Sequence, residues 1–151
     1  KLFFPAAGPD GNDAADAGVE RAFEEGPSTI RILVAEDQPD VSEIIIRILK
    51  SAGHEVQSAL SGDAAIALFE DDDGFDLLIT DIVMPGRLQG PDLAKKIRKL
   101  KPNIPVIFMS GYAREATIHG NGLRESDVRL MKPVSKSDLL AAITSIYSLK
   151  N

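Results

Sequence analysis

From Ile30 onward the chain alternates short apolar, β-branched runs with stretches of helical periodicity, and that alternation leaves few folds open. A strand that reads as a continuous apolar run must be covered on both faces, the condition of a parallel sheet with helices on each side. The first such run is 31–35 (RILVA). Pro39 suits the first turn of a helix, where its missing N–H is no loss, and Val41, Ile44, Ile45, Ile48 and Leu49 recur at helical spacing until Gly53. The same logic predicts a strand over 55–59, a helix capped by Ser61 and running to about 71, a strand over 76–80 and a helix over 91–100 closed by Pro102. A strand over 105–109, a weaker helix over about 113–119, a strand over 127–131 and a helix over about 135–149 complete five β-then-α units.

The 151 residues suffice for one domain, assigned to 29–151, and a tail. Residues 8–28 are rich in Ala, Gly, Pro and acid (Asp10, Asp13, Asp16, Glu20, Glu24, Glu25), with too little apolar surface to offset the entropy of ordering; they are read as an acidic flexible linker. Lys and Arg number 17 against 23 Asp and Glu, a formal net charge of −6 that repels phosphate backbones and argues against nucleic-acid binding. The lack of Cys excludes a disulfide framework, a thiolate zinc site and a thiol nucleophile. No apolar run is as long as a membrane span and no segment reads as a signal peptide, so the expectation is a cytoplasmic domain without direct membrane contact. Oligomeric state is left open.

Doubly wound sheets bind ligands beyond the carboxyl ends of their strands. The first predicted strand runs into Glu36-Asp37, the third into Asp81, the fourth into Ser110 and the fifth into Lys132-Pro133, all on one rim. Three carboxylates held together repel, and a divalent cation is the physical reason to hold them there; oxygen ligands without His or Cys suit Mg²⁺. A hydroxyl and an ammonium facing the same cavity supply the donor and the counter-charge that a phosphoryl group requires.

In that order, and each after a predicted strand, Glu36, Asp37, Asp81, Ser110 and Lys132-Pro133 resemble the receiver domain of bacterial two-component response regulators, over about residues 30–150. The resemblance implies a flavodoxin-like, doubly wound (βα)5 three-layer sandwich with parallel strand order 2-1-3-4-5. It implies that Asp81 is the phosphoacceptor, taking a phosphoryl group from phosphohistidine on a histidine kinase or histidine phosphotransfer domain, in a self-catalysed transfer and dephosphorylation. Mg²⁺ would be held directly by Asp37, through water by Glu36, by Asp81, and by the backbone carbonyl of Val83. Ser110 would hydrogen-bond one phosphoryl oxygen and Lys132 pair with another, with the Lys132–Pro133 peptide cis. The signal would be a population shift drawing Ser110 and the following loop inward.

Some positions depart from the family pattern. Arg129 stands where the family usually has an aromatic switch three residues before the Lys, and Val134 where it often has Phe. Tyr112 is the substitute considered for the switch, the alternative being a phosphate relay or sink; Val83 and Tyr112 flank the site and are expected to tune water access. The segment 84–90 (MPGRLQG) and Ser-Gly-Tyr-Ala at 110–113 resemble receivers of hybrid histidine kinases. Residues 1–7 (KLFFPAA) resemble the last strand of a histidine-kinase ATP-binding domain, which together with the absent initial Met suggests a receiver from the C-terminus of such a kinase; an arbitrary tail is the alternative. Two other functions stay open: a non-phosphorylated pseudo-receiver serving as an interaction module, and a haloacid-dehalogenase-type phosphatase, which wants an acid two residues after the nucleophile where this chain has Val83.

The remaining polar features have structural readings. Asp71-Asp72-Asp73 is read as a solvated helix terminus, and His54 and His119 as isolated. Lys95, Lys96, Arg98, Lys99 and Lys101 are read as an exposed face opposite Leu93, Ile97 and Leu100. Ile46 lies about 100° from the middle of its apolar stripe and is expected at the rim of the core, where the family's first helix meets phosphodonor helices.

Overall fold

Five short segments pair side by side as parallel strands: β1 (Arg31–Ala35), β2 (Glu55–Ala59), β3 (Leu77–Asp81), β4 (Val106–Ser110) and β5 (Val128–Met131). The structure, a computed structural model, describes residues 29–111 and 127–150. Four helices lie within them: α1 (Pro39–Ser51), α2 (Gly62–Asp71), α3 (Gly90–Leu100) and α4 (Lys136–Lys150). The expected strand within 1–7, the linker 8–28, the helix over 113–119, Tyr112 and His119 fall outside the described residues. Thr29–Ile143 forms one compact unit.

The strand order is β2-β1-β3-β4-β5, as the doubly wound reading requires. Every residue of β3 and β4 is buried, which explains why those runs are apolar without alternation, whereas the edge strands β2 and β5 are partly exposed. Leu33, Leu78 and Phe108 from the sheet meet Ala65 and Phe69 of α2 and Leu93, Ala94 and Ile97 of α3 in a core cluster. Gly53 closes α1 with φ of +96°, a left-handed turn that a side chain would strain.

Strand ends shift by one residue from expectation: Asp81 and Ser110 are the last residues of β3 and β4, their Cα atoms in register with Met109 and Met131. Two helix faces also differ. In α1 the buried strip is Ser42, Ile45 and Leu49, while Ile44 is 55% exposed; Ile46 is half-buried. The isoleucine run supplies more apolar surface than one sheet face can cover, so periodicity alone does not select which part packs. In α3 the expected face is corrected near its C-terminal end. Leu100 is exposed, and Arg98 is buried, reaching Asp127 just before β5 with hydrogen bonds of 3.2 and 2.5 Å.

Candidate functional site

Parallel pairing carries the ends of β1, β3 and β4 to one rim, and the polar side chains placed there by the sequence meet. After β1, the Glu36 backbone N–H still donates to Ala59 O at 3.1 Å, which holds the residue at the sheet with its side chain fully buried. Asp81, ending β3, is also buried. One carboxylate oxygen from each of Glu36, Asp37 and Asp81 lies within 4.8 Å of the others. Lys132 follows β5, with its N–H donating to Ser110 O at 2.8 Å and its peptide bond to Pro133 cis. Its Nζ stands 2.7 Å from Glu36 Oε1 and 2.7 Å from Asp81 Oδ1, both ion-pair distances.

Two buried carboxylates thus share one ammonium. Burial, and then Glu36 beside it, push the Asp81 carboxyl up to about 8, with Lys132 pulling the other way. Desolvation works against the charge on Lys132, but Asp81 and Glu36 outweigh it and raise its pKa. Asp81 Oδ2 is buried with no hydrogen-bond partner among the described residues. A buried carboxylate oxygen left unmatched is costly unless something positive completes it. The all-oxygen donor set and the excess of negative charge fit a hard divalent cation such as Mg²⁺.

A cleft of 340 Å³ opens on this cluster, lined by Asp37, Gln38, Asp81, Val83, Met109, Gly111 and Lys132. Val83 is 51% exposed at its mouth. Ser110 ends β4 buried at the rim and is not among the lining residues, whereas its neighbours Met109 and Gly111 are. Arg129 pairs with Phe108 across β4 and β5 and is half-buried. An apolar groove of 310 Å³ adjoins the cleft, formed by Val41, Ile44, Ile45, Pro133 and Val134, with Gln38 and Lys132 common to both.

The loop between Asp81 and α3 contains residues that motif reasoning passed over. Gln89 occupies the N-cap of α3, where short polar side chains usually sit, and that mismatch was the available signal. Its Oε1 accepts from Met84 N–H at 2.9 Å and its Nε2 donates to Met84 O at 2.6 Å. Gly90 donates its N–H to Ile82 O at 2.9 Å and approaches the Asp81 carbonyl so closely that a Cβ would stand 1.9 Å from the oxygen. Of the other flagged residues, Asp72 is exposed and pairs with Arg31 at 2.8 Å, and His54 is buried, accepting Ile30 N–H at Nδ1 over 3.3 Å. No helix among the described residues is long and apolar enough to cross a membrane.

Residues 32–144 match the sequence profile of the response regulator receiver domain. The sensor kinase CckA of Brucella abortus (strain 2308) is 36% identical over 109 residues, 70% of this chain and 11% of that protein. The response regulator receiver protein CpdR of the same organism is 32% identical over 113 residues, 75% of this chain and 92% of that protein. Among solved structures, the receiver domain from the hybrid histidine kinase CckA superposes with a TM-score of 0.63 at 34% identity, covering 76% of this chain and 96% of that one. The chain therefore spans about a tenth of one relative and nearly all of another.

Proposed function

Because the chain belongs to the response regulator receiver domain family, we propose that it accepts a phosphoryl group on Asp81 from a phosphohistidine. The observation that carries this reading is Asp81 itself: a buried strand-end carboxylate, opening on a cleft, with Lys132 on one oxygen and the other oxygen without a partner among the described residues. A carboxylate oxygen attacks phosphorus, the bond from phosphorus to the histidine nitrogen breaks, and an acyl phosphate forms while the imidazole leaves. Little covalent work falls to the protein, so positioning and charge dominate. Lys132, whose Nζ stands 2.7 Å from Asp81 Oδ1, would follow the new charge, and Ser110 at the end of β4 would turn its hydroxyl to a second phosphoryl oxygen.

Receiver domains in general bind Mg²⁺ in an acidic pocket, and here Glu36, Asp37, Asp81 and the Val83 carbonyl would hold it. When bound, such an ion supplies charge neutralisation between carboxylates and phosphoryl oxygens. The partner is a histidine kinase or histidine phosphotransfer domain, and the domain works in the cytoplasm, as the receiver of a hybrid kinase. Phosphorylation draws Ser110 and the loop after β4 inward. With Arg129 at the family's aromatic switch position, a role as relay or sink is favoured over output through a buried ring.

Incubating the chain with a small acyl phosphate and Mg²⁺ tests the reading. It should gain one acid-stable, base-labile phosphoryl group, and Asp81→Asn should gain none. A wild-type chain that stays unmodified with every donor would establish the pseudo-receiver instead, and multiple turnover of unrelated phosphoesters would establish a phosphatase.

A further inference from the structure

The eight residues from Ile82 to Gln89 join β3 to α3 without regular structure, yet Val83 lines the cleft from within them. A carbonyl serves as a metal ligand at least entropic cost when its peptide plane is already held. The Val83 carbonyl and the Met84 N–H belong to one planar trans peptide and point in opposite directions, so fixing the second fixes the first. Gln89 fixes it: the amide oxygen takes the Met84 N–H at 2.9 Å, and the amide nitrogen returns a bond to Met84 O at 2.6 Å and a longer one to Gly86 O at 3.4 Å. The brace is itself anchored, because the Gln89 N–H donates to Asp92 Oδ2 at 3.4 Å, and Gly90 is tied to Ile82 O at 2.9 Å.

We propose that Gln89 is a positioning residue for the metal site, setting the direction in which Val83 offers its backbone carbonyl and, by hydrogen-bonding the same peptide unit, making that oxygen a stronger acceptor. The proposal rests on the reading of Val83 as a ligand of Mg²⁺. A side chain shorter by one methylene cannot span to Met84 yet caps a helix well, so Gln89→Asn separates the two duties of this position.

The experiment titrates the full chain with Mg²⁺ alone by calorimetry and follows amide exchange at Met84 without the metal. Gln89→Asn should keep the wild-type melting temperature, bind Mg²⁺ about tenfold more weakly, the usual scale for losing an outer-shell contact, and exchange the Met84 amide faster. Gln89→Met, of similar length without the amide, should show the same two changes if the Asn variant is unstable. Equal Mg²⁺ affinity and equal Met84 exchange in the variants would overturn the brace. Asp37→Asn supplies the reference: wild type binding no Mg²⁺ through Asp37 would sink the functional reading and the proposal with it, whereas Asp37-dependent binding unchanged by Gln89→Asn would sink the brace alone.

Discussion

Gly90 is where the site and the stability of the fold are most tightly coupled, and replacing it by Ala should be costly. Its φ lies outside the left-handed region, so conformational freedom is not the reason. The obstacle is space: the new Cβ would fall 1.9 Å from Asp81 O, 2.9 Å from Asp81 C and 3.0 Å from Ile82 Cα. None of these atoms is the tip of a flexible side chain. The backbone there is pinned by Ile82 N–H to Met109 O at 2.9 Å and by Gly90 N–H to Ile82 O at 2.9 Å. Overpacking typically costs about 1–3 kcal/mol when neighbours can yield, so this site belongs at the top of that range. The better helix propensity of Ala returns at most about 1 kcal/mol, and less in a first turn. A net loss of about 2–3 kcal/mol should lower the melting temperature by about 10 °C for a domain of this size. Urea and thermal unfolding, followed by circular dichroism, read both numbers. Gly111→Ala is the companion, since a Cβ there meets nothing within 4 Å; it should change stability by no more than about 0.5 kcal/mol. If the two variants unfold alike, the close approach of α3 to β3 is not what position 90 answers to.

Asp127→Asn should destabilise the domain by about 3–5 kcal/mol in denaturant titration, because it removes the negative charge facing a buried guanidinium; the two side chains are 7% and 3% exposed. The double variant Arg98→Met, Asp127→Leu should recover most of that loss, and a double variant no better than the single one would refute the ion-pair account. His54 gives a pH signature. Burial lowers its pKa below the ordinary 6.5, so the unfolded chain takes up a proton that the folded one resists. Its contribution is therefore whole above pH 6.5 and lost as pH falls below it. In unfolding titrations at pH 7.5 and 5.5, wild type should lose more stability than His54→Gln between the two, and a larger loss in the variant would reverse the sign of the argument.

The order of elements, the parallel sheet with its covered faces, and the rim on which Glu36, Asp37, Asp81 and Lys132 converge were all legible in the pattern of residues along the chain. Those are consequences of local period and of residues placed at strand ends, and a parallel sheet aligns all its carboxyl ends without further instruction. Which parts of the helices pack was settled by long-range contacts. Ile44 and Leu100 satisfy the helical period but face outward, because a helix covers only the sheet area beneath it. It also decided contacts that span the chain: Arg98 meets Asp127 from 29 residues away, a pairing that an otherwise solvated basic run gives no reason to expect. The brace at Gln89 stands between the two cases. Its partner is only five residues distant, but the bond depends on the loop folding back over α3, and so on the close approach of Gly90 to Asp81.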